Sequence, residues 1–149
     1  MTGQTIRRML DSDLDVVLTN ERRAYTHPWS EGIFRDCLKN GNDCFVLEAS
    51  SRLIGHGVLS VGAGEAHLLN VCVHPDCHGH GFGRTLVEHL IQEARNSRAT
   101  TMFLEVRPSN VVACKLYENL GFNEVGVREN YYPAFKGRED ALVLAIELL

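Results

Sequence analysis

The fold of this chain is decided by residues 71–85, which read VCVHPDCHGHGFGRT. The apolar residues 71–73 end a strand pattern, and a helical pattern of apolar residues begins directly after Arg84. Between them, glycines alternate at 79, 81 and 83. Because glycine has no Cβ, this backbone can come close to a ligand, and the amide N–H groups at a helix N-terminus can hold a phosphate. The segment therefore predicts a strand, a phosphate-binding loop and a helix.

The glycine loop does not fit the two commonest phosphate motifs. It lacks the Lys-Ser or Lys-Thr pair of a P-loop. Arg84 stands at the position where a Gly-x-Gly-x-x-Gly pattern has its last glycine. Nucleotide hydrolysis and hydride transfer therefore lose support, while a packing role for the glycines stays open. The loop also carries groups that zinc prefers, but they are confined to one segment, and we expect no metal. These groups are His74, Cys77, His78 and His80.

Upstream of the loop, the patterns predict strand, helix, helix and three more strands. Asp11 and Ser12 can cap the first helix, and Ser30 the second. The short turns between the last three strands make these neighbours antiparallel. The strand patterns cover residues 5–9, 44–49, 53–61 and 66–73.

Downstream of the loop, two helices alternate with the remaining strands. Pro108 and Ser109 open the last helix, whose predicted buried face includes Val112 and Tyr117, and Gly121 ends it. The order β-α-α-β-β-β-α-β-α-β-β predicts a single α/β domain over residues 1–149, with a mixed, mostly antiparallel seven-stranded sheet flanked by about four helices. The last strand patterns cover residues 102–106, 123–129 and 141–146.

Composition excludes several classes of protein. The 149 residues suffice for one domain, and the net charge of −4, without a basic block, argues against a nucleic-acid partner. No apolar run approaches the roughly 20 residues of a membrane span, and residues 1–10 do not resemble a signal peptide, so we expect a cytoplasmic protein. The five cysteines are odd in number and form no C-x-x-C, which predicts reduced thiols that fill core space.

The pattern x-x-Gly81-x-Gly83 after a strand that ends at Val73 resembles the pyrophosphate loop of the GNAT superfamily of acetyl-CoA-dependent N-acetyltransferases. The resemblance implies that acetyl-CoA is the acetyl donor. This chain has His78 where the family usually has Gln or Arg, and Gly79 where a basic residue is common. The resemblance implies the cofactor contacts Val71, Cys72, Val73, Gly79, His80, Gly81, Phe82, Gly83, Arg84 and Asn110.

Glu105 lies inside the apolar strand run FLEV at residues 103–106. A carboxylate there is disfavoured by strand propensity and costly to bury. It could face water on an edge strand or pair with Arg107. Alternatively, it could accept the proton that an ammonium group must lose before its nitrogen attacks an acetyl thioester. The resemblance implies this second role.

Tyr117 falls on the apolar face of the last helix, where an ordinary core tyrosine would also lie. Acetyl transfer releases a thiolate, and a nearby phenol can protonate it without any covalent enzyme intermediate. The resemblance implies that Tyr117 is this proton donor.

Further segments extend the resemblance over nearly the whole chain, toward the bacterial ribosomal-protein-alanine N-acetyltransferases of the RimI type. This branch implies that the acceptor is the N-terminal alanine of the eighteenth small-subunit ribosomal protein. We expect Trp29, Tyr131 and Tyr132 to line the acceptor site, the two tyrosines from a loop that ends at Pro133. The matching segments are residues 27–30, 66–71, 104–107, 116–122 and 130–142.

The acidic residues Glu139 and Asp140 could meet basic residues of the substrate, or that region could simply pack on the sheet. Two other functions also stay open. The chain could acetylate a small amine or a lysine side chain, or it could be a non-catalytic acyl-CoA-binding module, which the unusual His78 and Gly79 suggest. We expect a monomer or a weak dimer.

Overall fold

A computed structural model describes residues 3–148. These residues form seven strands and four α-helices in the predicted order. The elements are β1 (Gln4–Arg8), α1 (Leu14–Ala24), α2 (Glu31–Lys39), β2 (Asp43–Ala49), β3 (Arg52–Gly62), β4 (Glu65–Val73), α3 (Phe82–Asn96), β5 (Thr101–Val106), α4 (Val111–Leu120), β6 (Asn123–Pro133) and β7 (Arg138–Glu147).

The strands form one sheet in the order β1-β2-β3-β4-β5-β7-β6. Within the described sheet, β4 and β5 are the one parallel pair, and the other neighbours are antiparallel. The parallel pair needs a crossover connection, which α3 provides. The predicted fold class, a mixed and mostly antiparallel sheet with flanking helices, is confirmed.

β4 and β5 pair over only part of their length. Their register runs from Glu65 opposite Thr101 to Leu68 opposite Leu104, and both strands continue beyond that point. The pairing of β3 with β4 also shifts at Leu69, the extra residue of a β-bulge. Since a bulge bends its strand, the two strands separate at their carboxyl ends and leave an opening in the middle of the sheet.

The helices pack on both faces of the sheet. Neighbouring residues of β2 illustrate this, because Phe45 packs in the cluster of α3 and α4, whereas Cys44 and Val46 pack in the cluster of α1 and α2. Alternate strand residues point to opposite faces. The face of α3 predicted to be apolar is buried: Leu86, Val87, Leu90, Ile91 and Ala94.

Two helix starts differ from the predictions. Residues 11–13 form a 3-10 turn before α1, and Asp13 accepts from the Leu10 amide at 2.8 Å, so Asp11 and Ser12 do not cap the α-helix. At α4, the turn formed by residues 107–110 precedes the helix, and Asn110 is the cap. The predicted Ser30 cap is confirmed, because its hydroxyl accepts from the Ile33 amide at 3.3 Å.

Two further expectations for the carboxyl-terminal third need correction. Val112, expected in the core, is 82% exposed, since the later start of α4 places it in the first turn on the open side. Residues 131–133, expected in a loop, end β6, and only residues 134–137 connect it to β7. The pairing shifts between Arg128 and Tyr132, where Asn130 has a positive φ of 54°. Because this irregularity interrupts the alternation of side chains, a period-of-two pattern in the sequence does not predict the last residues of β6.

Among residues 3–148, all five cysteines are free, and Cys37, Cys44 and Cys72 are buried as the composition predicts. Burial raises the pKa of Cys44 to about 12, so this thiol stays protonated and inert at neutral pH. None of the helices in the described part of the chain is both long enough and apolar enough to cross a membrane.

Candidate active site

A cleft of about 750 Å³ opens where β4 and β5 separate. Its walls come from the carboxyl ends of these strands, the loop before α3, the first turns of α4 and the end of β6. Twelve of the predicted site residues line this cleft: Trp29, Val71, Val73, Gly79, Gly81, Phe82, Gly83, Arg84, Glu105, Asn110, Tyr117 and Tyr132.

Three predicted site residues do not line the cleft. Cys72 points away from it, and its thiol donates to the Asn20 carbonyl at 3.7 Å. The His80 ring lies 6.1 Å from the Phe82 ring. Tyr131 is 46% exposed and lies against Tyr132, with 4.9 Å between the ring centroids.

Two glycines of the loop before α3 have a backbone conformation that other residues rarely adopt. Gly79 and Gly81 have φ values of 83° and 79°, and a Cβ at either position would meet no atom within 4 Å. Tight packing, the alternative left open above, therefore does not explain these two glycines. The first bond of α3 runs from the Thr85 amide to the Gly81 carbonyl at 3.0 Å. The amides of residues 82–84 precede this bond and form a helix N-terminus suited to an anion.

The histidines of this loop hold its own backbone. The Nε2–H of His78 donates to the Val73 carbonyl at 2.8 Å, and His74 Nδ1 accepts from the Asp76 amide at 3.0 Å. His78, at the position where the family usually has Gln or Arg, is therefore turned back toward β4. In this chain, the part of the loop that can meet a phosphate is the main chain.

Glu105 lies on β5, at a point where this strand pairs with β7 but no longer with β4. Its side chain is 11% exposed. The Nε2–H of His67 donates to both carboxylate oxygens, at 2.9 and 3.1 Å, and Arg128 Nε lies 3.5 Å from Oε2. Arg107 pairs with Glu139 at 3.1 Å instead. The predicted pair with Arg107 is therefore wrong, and the small exposure of the side chain argues against a residue that simply faces water.

Tyr117 is buried on α4 and also reaches the cleft. Its ring packs edge-on against Phe122 with 5.5 Å between centroids, as a core tyrosine would. Burial, with smaller contributions from Tyr132 and Cys114, raises the pKa of Tyr117 well above its usual range. The phenol is therefore protonated at neutral pH, as a proton donor must be.

Tyr132 is held in the cleft by a cluster that joins the β6–β7 hairpin to the start of α4. The Arg107 guanidinium lies 4.4 Å from the Tyr132 ring centroid and donates to the Pro133 carbonyl at 2.8 Å. Glu139 accepts from the Ser109 amide at 2.9 Å and from its hydroxyl at 3.0 Å. Burial raises the pKa of Tyr132 to about 12.

The two acidic residues of this hairpin are engaged within the chain. Hydrogen bonds from Ser109, followed by the contact with Arg107, lower the pKa of Glu139. Asp140 accepts from the Asn130 amide at 2.9 Å. These internal donors give both carboxylates a structural role, and a contact of Glu139 or Asp140 with basic residues of a substrate stays a prediction.

Sequence reasoning missed a buried cluster at the base of the cleft. Glu21 of α1 is 1% exposed and accepts from the Trp29 amide at 3.0 Å, from His56 Nε2 at 2.9 Å and from the Asn70 side chain at 3.2 Å. Helical spacing could have revealed it, since Glu21 follows Val17 by four residues on the buried face. This carboxylate joins α1, β3 and β4 to the loop that carries Trp29.

Two neighbours of this cluster were also missed. The Tyr25 hydroxyl donates to the Val71 carbonyl, which ties the end of α1 to the separated part of β4. The possible metal-ligand atoms of Glu21, His56 and Cys72 all lie within 4.8 Å of one another. Among the described residues, this is the one group of three side chains that could hold a metal ion. It lies outside the glycine loop, and the absence of a metal stays a prediction.

Comparison with known proteins agrees with this geometry. The chain matches the acetyltransferase (GNAT) family over residues 7–122. It is 40% identical over 144 residues to the [ribosomal protein bS18]-alanine N-acetyltransferase of Escherichia coli, covering 97% of each chain. A crystal structure of the ribosomal-protein-alanine N-acetyltransferase from Escherichia coli has a TM-score of 0.91 at 40% identity, over 98% of this chain and 94% of that one.

A more distant structure shows the fold alone. It is yncA from Salmonella typhimurium, solved with its cofactor acetyl-CoA, which has a TM-score of 0.81 at 20% identity over 99% of this chain and 95% of that chain. The family match covers most of the residues, and the Escherichia coli relative extends over nearly the whole chain. This protein therefore belongs to the acetyltransferase (GNAT) family.

Proposed function

We propose that this chain transfers the acetyl group of acetyl-CoA to the N-terminal alanine of ribosomal protein bS18. The observation that carries the proposal is the 40% identity over 97% of the chain to an enzyme named for this reaction. The cleft supports it, because Glu105 and Tyr117 face the same opening as the N-terminus of α3. Ribosomal proteins are made in the cytoplasm, and we place the reaction there.

The start of α3 fits the pyrophosphate of acetyl-CoA. There is open space beside Gly79 and Gly81, and the amides of residues 82–84 come before the first intrahelical bond. The positive end of the helix dipole also favours an anion there. Acetyl-CoA supplies an activated acetyl group when bound, and the amides would hold its charged end beside the cleft.

Glu105 and Tyr117 divide the proton transfers. Glu105 accepts a proton from the substrate ammonium group, which gives the nitrogen the lone pair it needs to attack. As the new C–N bond forms and the C–S bond breaks, Tyr117 gives its proton to the sulfur. The nitrogen loses a second proton to water as the amide forms. Of the two protons that leave the nitrogen, one replaces the proton of Tyr117 through solvent and the other is released, so both groups regain their starting states.

Trp29 and Tyr132 supply the two aromatic walls of the acceptor end of the cleft. Glu21 holds the backbone of Trp29, and Phe34 packs against the Trp29 ring with 5.2 Å between centroids. Arg107 holds the Tyr132 ring, so both rings are supported before a substrate binds. Aromatic walls that are already in place lower the entropy cost of binding a peptide end. A monomer or weak dimer remains a prediction.

The test is a comparison of acceptors for the purified protein with acetyl-CoA. One peptide carries the first residues of bS18 from the same organism, a second is the same peptide with its N-terminus blocked, and a third acceptor is a polyamine. Mass spectrometry should find one acetyl group on the N-terminus of the first peptide and none on the blocked one. Equal or faster turnover of the polyamine would favour a small-amine acetyltransferase, and binding of acetyl-CoA without transfer to any acceptor would favour a non-catalytic module.

A further inference from the structure

His67 makes the shortest polar contact to the Glu105 carboxylate. It lies on β4 opposite Phe103 of β5, and Glu105 is the next residue on the same face. His67 Nε2 lies 2.9 Å from one carboxylate oxygen and 3.1 Å from the other, so its N–H donates to both oxygens. The contact fixes the plane of the carboxylate.

The other partner of Glu105 is weaker. Arg128 Nε lies 3.5 Å from Oε2, and its side chain is more than half exposed. Exposed ion pairs at such distances contribute little, because both side chains remain mobile and solvent screens the charges. His67 is less exposed, at 35%, and belongs to a strand in the middle of the sheet. It is therefore the more rigid support.

The two partners of Glu105 do not belong to the lining of the cleft. Glu105 lines the cleft, whereas His67 and Arg128 do not. The partners therefore bind the carboxylate without occupying the cleft, and a carboxylate with about four lone-pair sites can still accept a proton there. A general base must present such a lone pair within hydrogen-bond reach of the proton, and a glutamate side chain otherwise samples several rotamers.

We infer that His67 is a positioning residue for Glu105: its Nε2–H orients the carboxylate toward the cleft and maintains it in the orientation that accepts the substrate proton. This inference rests on the proposed role of Glu105 as the base. No proton needs to pass through His67, because its N–H stays on the imidazole throughout. The required property is a hydrogen-bond donor at the position of Nε2.

The test uses His67→Leu, which removes the donor, and His67→Gln, which keeps an N–H near the position of Nε2. Because misplacing a reacting group by about 1 Å can cost on the order of 100-fold, we expect His67→Leu to lower kcat roughly 10- to 100-fold. KM for acetyl-CoA should change less than about twofold, because His67 does not reach the loop before α3. His67→Gln should recover most of the lost kcat, which a purely structural role would not predict.

A double-mutant cycle separates this inference from the proposed function. In a Glu105→Gln background, His67→Leu should cause no further loss, because the group that it positions is already absent. His89→Leu on α3, outside the cleft, is the matched control and should keep wild-type kcat. If His67→Leu does not fold, His67→Val removes the donor while keeping strand propensity.

The outcomes are distinguishable. Wild-type kcat for His67→Leu beside a slow Glu105→Gln enzyme would overturn the positioning role and leave Glu105 as the base. An equal loss from His67→Leu in both backgrounds would also overturn it, because His67 would then act independently of Glu105. Wild-type kcat for Glu105→Gln would overturn the base assignment and this inference together.

Discussion

At the scale of single residues, Glu105 and Tyr117 are placed in the cleft by different means. Glu105 is polar in an apolar strand, and hydrogen bonds from His67 hold it there. Tyr117 is placed by packing, because Phe122 supports its ring and burial keeps its phenol protonated. The carboxylate can therefore accept a proton, while the phenol can only donate one at neutral pH. This asymmetry fits acetyl transfer to an amine, which needs one acceptor and one donor.

Glu105→Gln should lower kcat by roughly 100- to 10,000-fold, the usual contribution of a general base. The amide keeps the size of the carboxylate, so KM for acetyl-CoA should change little. Steady-state kinetics with the bS18 peptide measures both constants. Glu124→Gln, an exposed residue of β6 outside the cleft, is the control and should behave like the wild type. An unchanged kcat for Glu105→Gln would remove this residue from the mechanism.

Tyr117→Phe should slow acetyl transfer roughly 10- to 100-fold while leaving the fold intact. The ring and its contact with Phe122 remain, and only the hydroxyl at the cleft is lost. Kinetics should therefore show a lower kcat, and a thermal melt should show a nearly unchanged midpoint. Wild-type kcat would make Tyr117 a core residue with no part in proton transfer.

At the scale of helices and strands, periodicity predicted the elements well wherever apolar residues repeat regularly, as on α3. It failed where a local interaction overrides the pattern. Arg107 and Glu139 extend the β6–β7 hairpin past the bulge near Asn130, and Asn110 delays the start of α4. Such contacts link distant residues, so a local pattern does not reveal them.

The candidate site was predictable to the extent that its residues belong to motifs. Glu105, Tyr117 and the glycine loop stand out in the sequence, and the fold brings them to one cleft. The supporting residues do not stand out, because His67 lies 38 positions from Glu105 and His56 lies 35 positions from Glu21. The register of β4 and β5 brings the first pair together, and the packing of α1 on β3 brings the second.

Gly57 of β3 allows α3 to lie close to the sheet. A Cβ at this position would lie 2.8 Å from Leu90 Cδ1, a contact that real Cβ atoms do not make. Since Leu90 is fully buried, its side chain has little room to move. Gly57→Ala should therefore reduce the free energy of unfolding by about 1–3 kcal/mol, the usual cost of overpacking.

Urea unfolding followed by circular dichroism measures this effect. Gly62→Ala is the matched control at the end of the same strand, because a Cβ there meets no atom within 4 Å. It should leave the unfolding midpoint nearly unchanged. Equal stability of the two variants would show that α3 adjusts freely over the sheet.

Glu139 belongs to the cluster that fixes the hairpin carrying Tyr132. Glu139→Ala removes the acceptor for Ser109 and Arg107, so the end of β6 should become more mobile. We expect KM for the peptide to rise roughly 3- to 10-fold, because the acceptor wall is no longer held in place. KM for acetyl-CoA should stay constant. Glu129→Ala, an exposed residue of the same hairpin, is the control, and an equal rise there would argue against the cluster.

At the scale of the whole molecule, the cleft joins two parts of the sheet that do not pair beyond Leu68 and Leu104. A ligand that binds β4, the α3 loop and α4 together would bridge this gap. Any ligand that binds only the folded state also stabilises it, by about 2.7 kcal/mol at 100 times its Kd. If acetyl-CoA binds as proposed, it should therefore stabilise the whole chain.

Acetyl-CoA at 100 times its Kd should raise the midpoint of thermal unfolding by roughly 5 to 10 °C. Gly81→Ala should lose much of this increase, because a Cβ on a left-handed residue strains the loop whose amides we propose to bind the pyrophosphate. Gly41→Ala is the matched control, since Gly41 has nearly the same φ, 80°, and lies outside the cleft. Both variants should melt earlier than the wild type without ligand, but only Gly81→Ala should respond weakly to acetyl-CoA. Both variants carry the same kind of backbone strain and differ only in where the substituted glycine lies. Equal responses to acetyl-CoA would therefore mean that the loop before α3 does not hold the ligand.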